Sequence, residues 1–354
     1  MTRAGPGGHR VDRGIPPGPR RPGTPRTGYD VVAAGETMAA LVGDPPGQLD
    51  AGERLTLDAG GAESNVAICL ARAGHRVAWL SRLGADSLGR MVARRIAAAG
   101  VDISLVRTDQ DARTGLYLRE PGRVWYYRSG SAASRMTRSI WEAAGLRGAR
   151  VVYLTGITPS LSPSCHDLVA HALRGRPIAG ALYAFDVNHR PSLWPPGDAA
   201  GALAGLARGA DLVFVGRDEA HALWGTASAG DVRDLLPEPR VLVVKDAEVG
   251  ATSFGPHGRA HVSAPPVQVV DPVGAGDAFA AGYLHGLLGG AAETERLALG
   301  HRFAAAVLCV AGDIADADIA DADIADADTG DYQADTGDYQ ADTGDYQVEG
   351  VTPC

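Results

Sequence analysis

Four short runs in this chain are apolar at every position: VVAA at residues 31–34, VVYL at 151–154, LVFV at 212–215 and VLVV at 241–244. None alternates apolar with polar residues, as a half-exposed strand does. A short strand that is apolar on both sides must be covered on both faces, the condition of a parallel strand between layers of helices. Segments with helical spacing fall between the runs: SNVAICLARAG, GRMVARRIAAAG, CHDLVAHALRG and ALAGLARG. The expected fold class is therefore α/β, a sandwich with a mainly parallel central sheet.

One interval breaks the alternation. TGLYLRE and GRVWYYRSG read as two strands joined by a Glu-Pro-Gly turn, with no helix between them. A hairpin inserted there suggests a small β-flap, or lid, built from about residues 39–58 and 112–128. Its free strand edges lead us to expect a homo-oligomer.

The two ends differ in composition from the middle. Residues 1–28 are rich in Pro, Gly and Arg and read as a disordered extension, with no apolar stretch that would make a secretory signal. From Ile314 the chain becomes IADAD three times and then TGDYQ three times, an acidic tail over 314–354 that is also expected to be disordered. Asp313 to Glu349 holds twelve Asp and one Glu without a Lys or Arg; setting these aside leaves 29 of the 42 acids against 33 bases. Most of the formal charge of −9 thus belongs to the tail, and the remainder of the chain, with its Arg-rich first 28 residues, is mildly basic. Its arginines form no stripe that would suit nucleic acid. No apolar run approaches the roughly 20 residues that span a bilayer. Cys69, Cys165, Cys309 and Cys354 show no CxxC or metal spacing; three lie in apolar contexts and read as core thiols in a reduced, cytoplasmic protein.

Chemistry concentrates in DPVGAGDAFAAG, residues 271–282. The apolar VQVV before it reads as a strand ending at Asp271, and a helix is expected to start near Asp277. Gly274, Ala275 and Gly276 permit close approach to amides that a helix start leaves unbonded, which makes an anion site. Asp277 in the first turn is either a helix-stabilising carboxylate or a base beside that anion. No GxxxxGK[ST] and no GxGxxG occurs here, which excludes a P-loop and weakens a dinucleotide reading. Lys245 is the single lysine among 33 basic residues and would meet phosphate as a point charge.

These stretches resemble the ribokinase-like (PfkB) carbohydrate kinases. DPVGAGDAFAAG is similar to their C-terminal signature, and GGAESNVAICLARAG, residues 60–74, to their N-terminal one. The resemblance runs from about residue 29 to 313. It implies a ribokinase-like three-layer sandwich that binds ATP and Mg2+ and phosphorylates a sugar hydroxyl. Asp277 would be the base, with Gly274, Ala275 and Gly276 around the transferred group. GETMAAL, TGLYLRE, RVWYYRSGSAAS, GITPSLS and FDVNHRPSLW resemble the branch acting on the sugar acid 2-keto-3-deoxygluconate at its terminal (6-) hydroxyl. By that resemblance Gly61, Tyr117, Tyr126, Arg128, Ile157, Arg190 and Asp313 line the sugar-acid pocket. An arginine fork suits a carboxylate, and strand alternation puts Tyr126 and Arg128 on one face. Asn188, Gly216, Lys245, Gly250, Gly274, Gly276 and His301 would serve the nucleotide, and Asp271 and Glu219 a metal through water.

The chain also departs from the family pattern. Ala247 stands where a glycine is usual, Gly216 where Asn or Ser is common, and His301 where Asn is. After CVAGD the family continues into a final helix, and here the Asp repeats begin. Two rival readings follow: a kinase of a neutral sugar such as fructose or ribose, and a non-catalytic sugar-binding protein.

Overall fold

The computed structural model describes residues 28–44, 54–120, 123–195 and 197–310. The expected N-terminal extension, apart from Gly28, and the acidic repeats lie outside the described residues, as does Asp313. The chain opens with β1 (Val31–Ala34), enters a second sheet with β2 (Met38–Asp44) and β3 (Arg54–Gly60), and returns through α1 (Ala62–Arg72) to β4 (Val77–Leu80). Strands β5 (Arg82–Gly84) and β6 (Arg107–Asp109) flank α2 (Ser87–Ala98), and the hairpin β7 (Leu116–Glu120) and β8 (Arg123–Tyr127) follows. Alternation then resumes with β9 (Val151–Thr155), α3 (Pro163–Gly175), β10 (Leu182–Asp186), α4 (Asp198–Ala207) and β11 (Leu212–Gly216). Short helices α5 (Arg217–Trp224) and α6 (Ala229–Leu235) lead to β12 (Val241–Asp246) and the hairpin β13 (Gly250–Gly255) and β14 (Gly258–Ser263). Helices α7 (Ala275–Gly289) and α8 (Glu293–Leu308) close the described chain.

The central sheet runs β14-β13-β12-β11-β10-β9-β1-β4, parallel from β12 to β4 and antiparallel only through the β13–β14 hairpin. Strand β9 shows why its sequence is unbroken. Val152 and Leu154 enter one core with α3 and α4, while Val151 and Tyr153 enter the other with α1 and α7. Each such side chain contributes about 1.5–3 kcal/mol on burial, so a polar residue on either face would be costly. The second sheet, β3-β2-β7-β8, stands apart as the lid, its two hairpins joined by the parallel pairing of β2 with β7. Among the described residues no helix is long and apolar enough to cross a membrane.

Four local expectations change. VQVV (267–270) forms no strand: Val269 and Val270 are exposed, and the Val270 N–H donates to the Leu308 carbonyl at the end of α8. Pro265 and Pro266 just before it lack N–H donors and cannot extend a ladder beyond β14. RVAWLSRLG splits at Ser81 into β4 and β5, which belong to different sheets. Asp277 is the third residue of α7, since Gly274, at φ +81°, turns the chain into the helix earlier than expected. Cys69 and Cys165 are buried free thiols, but Cys309 caps α8 and is exposed.

Candidate active site

A cleft of about 480 Å³ opens where β1, β9, β10 and β12 end at their C-terminal edge, roofed by the lid. Parallel sheets place ligands at that edge, because the loops leaving it diverge to opposite faces. Asp277 forms part of the floor. Its Oδ2 accepts a hydrogen bond from Asn65 Nδ2 at 2.9 Å, and its Oδ1 one from Asn188 Nδ2 at 3.2 Å. Burial pushes the Asp277 carboxyl up to about 7; the Asn65 hydrogen bond and the charges of Arg190 and Lys245 oppose this, and Asp186 reinforces it. A carboxylate held near neutrality and orientated by two amides is suited to take a proton and release it again.

Beside it, the first turn of α7 presents amides without intrahelical acceptors. Gly276 lines the cleft, and a Cβ there would lie 3.4 Å from Lys245 Nζ. Lys245 in turn is fixed by Asp186, with Nζ to Oδ2 at 2.8 Å. The cleft thus brings backbone amides and one cation next to a buried carboxylate, an arrangement able to hold an anion beside a proton acceptor.

The same cleft is lined by Gly61, Tyr117, Tyr126, Arg128, Ile157 and Arg190. A Cβ on Gly61 would meet the Glu36 carbonyl oxygen at 2.3 Å, so the close approach of the β1–β2 link to the start of α1 needs glycine here. The two tyrosine rings lie 6.2 Å apart, and the Arg128 guanidinium sits 5.5 Å from the Tyr126 ring. Arg128 lies just past the end of β8, yet both residues reach the same cleft. Its Nε and Nη2 both donate to buried Glu36 Oε2, at 2.7 and 2.5 Å, while Ser131 Oγ donates to Oε1 at 2.5 Å. This leaves the Nη1 edge for a ligand. Arg190 Nη1 lies 3.7 Å from Glu219 Oε1 and is half exposed.

The remaining expected residues are not gathered there. Ala275, Gly216, Gly250 and His301 do not line this cleft. Gly216 caps α5 and donates its N–H to Glu219 Oε2 at 3.1 Å. Gly250 opens β13, and His301 is buried against Phe279, bonded to the Val262 carbonyl at 3.1 Å. Ala247 has φ +39°, a left-handed conformation that accounts for the usual glycine at its position. Of the two carboxylates considered for a metal, Glu219 lines the cleft, whereas Asp271 is ion-paired to Arg119 of the lid. Among the described residues no group of three His, Cys, Asp or Glu forms a metal cage. That donor set fits Mg2+ held mostly by phosphates and water with one carboxylate in support.

Sequence reasoning passed over Asn65, Asp186, Glu36 and Arg119. Asp186 had a usable signal, a carboxylate closing the apolar run LYAF, whereas Asn65 follows Glu63 and Ser64 and does not stand out. Glu36 and Arg119 gain meaning only through partners distant in sequence.

Comparison with known proteins agrees with this geometry. The family described as pfkB family carbohydrate kinase matches residues 29–320. The chain is 35% identical to the 2-dehydro-3-deoxygluconokinase of Bacillus subtilis (strain 168), over 80% of this chain and 91% of that protein. It is 33% identical to the 2-dehydro-3-deoxygalactonokinase of Haloferax volcanii, over 81% and 93%. Fructokinase-1 of Oryza sativa subsp. japonica is 34% identical over 62% and 71%. Among solved structures, a PfkB protein from Polaromonas sp. JS666 superposes with a TM-score of 0.70 at 34% identity, covering 78% of this chain and 95% of that one.

Proposed function

The chain belongs to the pfkB family of carbohydrate kinases and is a phosphotransferase acting on a sugar hydroxyl with ATP; from that premise we propose that its acceptor is 2-keto-3-deoxygluconate, phosphorylated at its terminal 6-hydroxyl. One observation carries the choice of a sugar acid. Arg128 and Arg190 line the same cleft as Asp277, with Tyr117 and Tyr126. Arginine forks match carboxylates in geometry and charge, and relatives named for sugar-acid substrates match over nearly their whole length.

In the mechanism these residues support, Arg190 and the Nη1 edge of Arg128 hold the substrate carboxylate. The sugar's far hydroxyl then meets Asp277. As the oxygen–phosphorus bond forms and the bond from the γ-phosphorus to its bridging oxygen breaks, the hydroxyl proton passes to Asp277 and ADP leaves. Asn65 and Asn188 keep the carboxylate in place, and its near-neutral affinity lets it shed the proton before the next cycle. The α7 amides and Lys245 stabilise charge on the transferring group. Asn188, Gly216, Gly250 and His301 stay assigned to the nucleotide as part of this proposal. Mg2+, supported through water by Glu219, would neutralise charge between the phosphates. The lid excludes water that would otherwise accept the phosphoryl group. Unpaired Cys69 and Cys165 support a reduced, cytoplasmic setting. The proposal retains pairing of copies through lid edges, which light scattering checks.

An ADP-release assay across 2-keto-3-deoxygluconate, 2-keto-3-deoxygalactonate, fructose and ribose tests the substrate. Preference for the keto acids is expected, and equal turnover of fructose overturns it. The second reading, a neutral-sugar kinase, draws on one observation: Glu36 already neutralises Arg128. In the same assay that reading predicts fructose or ribose as the better substrate.

A further inference from the structure

One carboxylate in the cleft floor has no part in that mechanism. Asp186 ends the apolar strand β10 and is fully buried. A carboxylate so placed must be paired and hydrogen-bonded to remain charged. Its two oxygens go to different places. Oδ2 accepts from Lys245 Nζ at 2.8 Å, while Oδ1 accepts the Asn188 backbone N–H at 3.2 Å.

Asn188 has φ +38°, a left-handed conformation uncommon outside glycine and tolerated best by asparagine and aspartate. That turn delivers its side-chain amide to Asp277 Oδ1. A single carboxylate therefore touches the cation of the anion site and the backbone turn that steadies the base. We propose that Asp186 is a positioning residue for phosphoryl transfer, fixing Lys245 beside the first turn of α7 and Asn188 against Asp277. The inference rests on the reading of Asp277 as the base.

The charges around Asp277 give the inference a sign. Asp277 faces Asp186 from β10, Lys245 from β12 and Arg190 from the loop after β10. Asn65 and Cys69 face it from α1, and Tyr153 from β9. Asp186 favours the protonated form of Asp277, and Lys245 and Arg190 favour the ionised form. Removing Asp186 and removing Lys245 must therefore move the acid limb of activity in opposite directions.

The experiment is the pH profile of kcat/KM for the full-length enzyme, with 2-keto-3-deoxygluconate and ATP, in wild type, Asp186→Asn, Lys245→Met and Asp277→Asn. For Asp186→Asn the acid limb should move about one unit to lower pH, and KM for ATP should rise roughly tenfold from the loss of a fixed cation–phosphate contact. For Lys245→Met the limb should move to higher pH. An unmoved limb in Asp186→Asn, or shifts of the same sign in both variants, overturns the positioning role. Should Asp186→Asn fail to fold, Lys245→Met and Asn188→Gly decide: an unmoved limb in Lys245→Met, or unaltered kcat in Asn188→Gly, overturns it. Near-normal turnover by Asp277→Asn would instead sink the base reading itself, so the two failures are distinguishable.

Discussion

The floor of the cleft and its lid are built on opposite plans. The floor is made of strand ends and the first turn of α7, with Asp277, Asp186 and Asn188 buried and bonded to one another. Helix α7 is locked behind it: a Cβ on Gly282 would come within 2.3 Å of the Leu299 carbonyl oxygen of α8. The lid is a four-stranded sheet whose outer face leaves Leu55, Leu57, Trp125 and Tyr127 exposed. It meets the floor through single polar contacts such as Arg119 with Asp271. In the proposed reading the proton-accepting carboxylate, Asp277, lies in the packed floor, while Tyr117, Tyr126 and Arg128, proposed to meet the sugar, belong to the lid hairpin and its end. Chemistry and specificity should therefore fail separately.

The sharpest break between them is at the base. Asp277→Asn should lower kcat by about 10²–10⁴-fold while sugar affinity, read by calorimetry, stays close to wild type. On the lid side, Arg128→Met should raise KM for the keto acid roughly 10–100-fold, the effect of losing a charge-assisted pair, with kcat far less affected. A matched fall in kcat for Arg128→Met would erase the distinction. Between floor and core, Gly282→Ala should cost about 1–3 kcal/mol of stability by overpacking, read as a lowered midpoint in urea. An unchanged midpoint would mean that α7 and α8 can move apart and that the floor is softer than described.

The floor was the more legible of the two in the sequence, for a physical reason. Its fold signal is local: unbroken apolar runs such as VVYL, and a glycine-rich turn with its carboxylate inside twelve consecutive residues. The site residues that escaped notice depend on partners far along the chain. Asn65 meets Asp277 across 212 residues, and Glu36 meets Arg128 across 92. An isolated arginine in a strand reads as a ligand for substrate carboxylate; only the fold shows that a buried glutamate already holds two of its nitrogens. The VQVV stretch misled in the opposite way. Its composition suits a strand, but the two prolines before it break the chain away from β14, and its Val270 N–H bonds the end of α8 instead.

The smallest expected effect tests whether the far side of the floor helix is as tightly held as the turn that carries Asp277. His285 of α7 has its Nδ1 2.9 Å from Nε2 of His75, in the turn after α1, and its ring packs 5.7 Å from that of Phe303. Burial, with the Arg302 charge adding to it, lowers the His285 pKa below its usual value. The folded protein therefore favours the neutral ring. That contribution is fully present above the unfolded value of about 6.5 and is lost as pH falls through the folded one. Protonating both rings would also remove the acceptor from their hydrogen bond. Thermal melting of wild type and His285→Asn at pH 8 and pH 5.5 isolates this single group from the carboxylates that titrate in both. Asparagine can keep the bond to His75 without titrating, so the drop in Tm on acidification should be smaller in the variant. An equal drop would show that α7 is tight at Asp277 yet yields to water at His285, and would confine the rigidity of the floor to the first turn of α7.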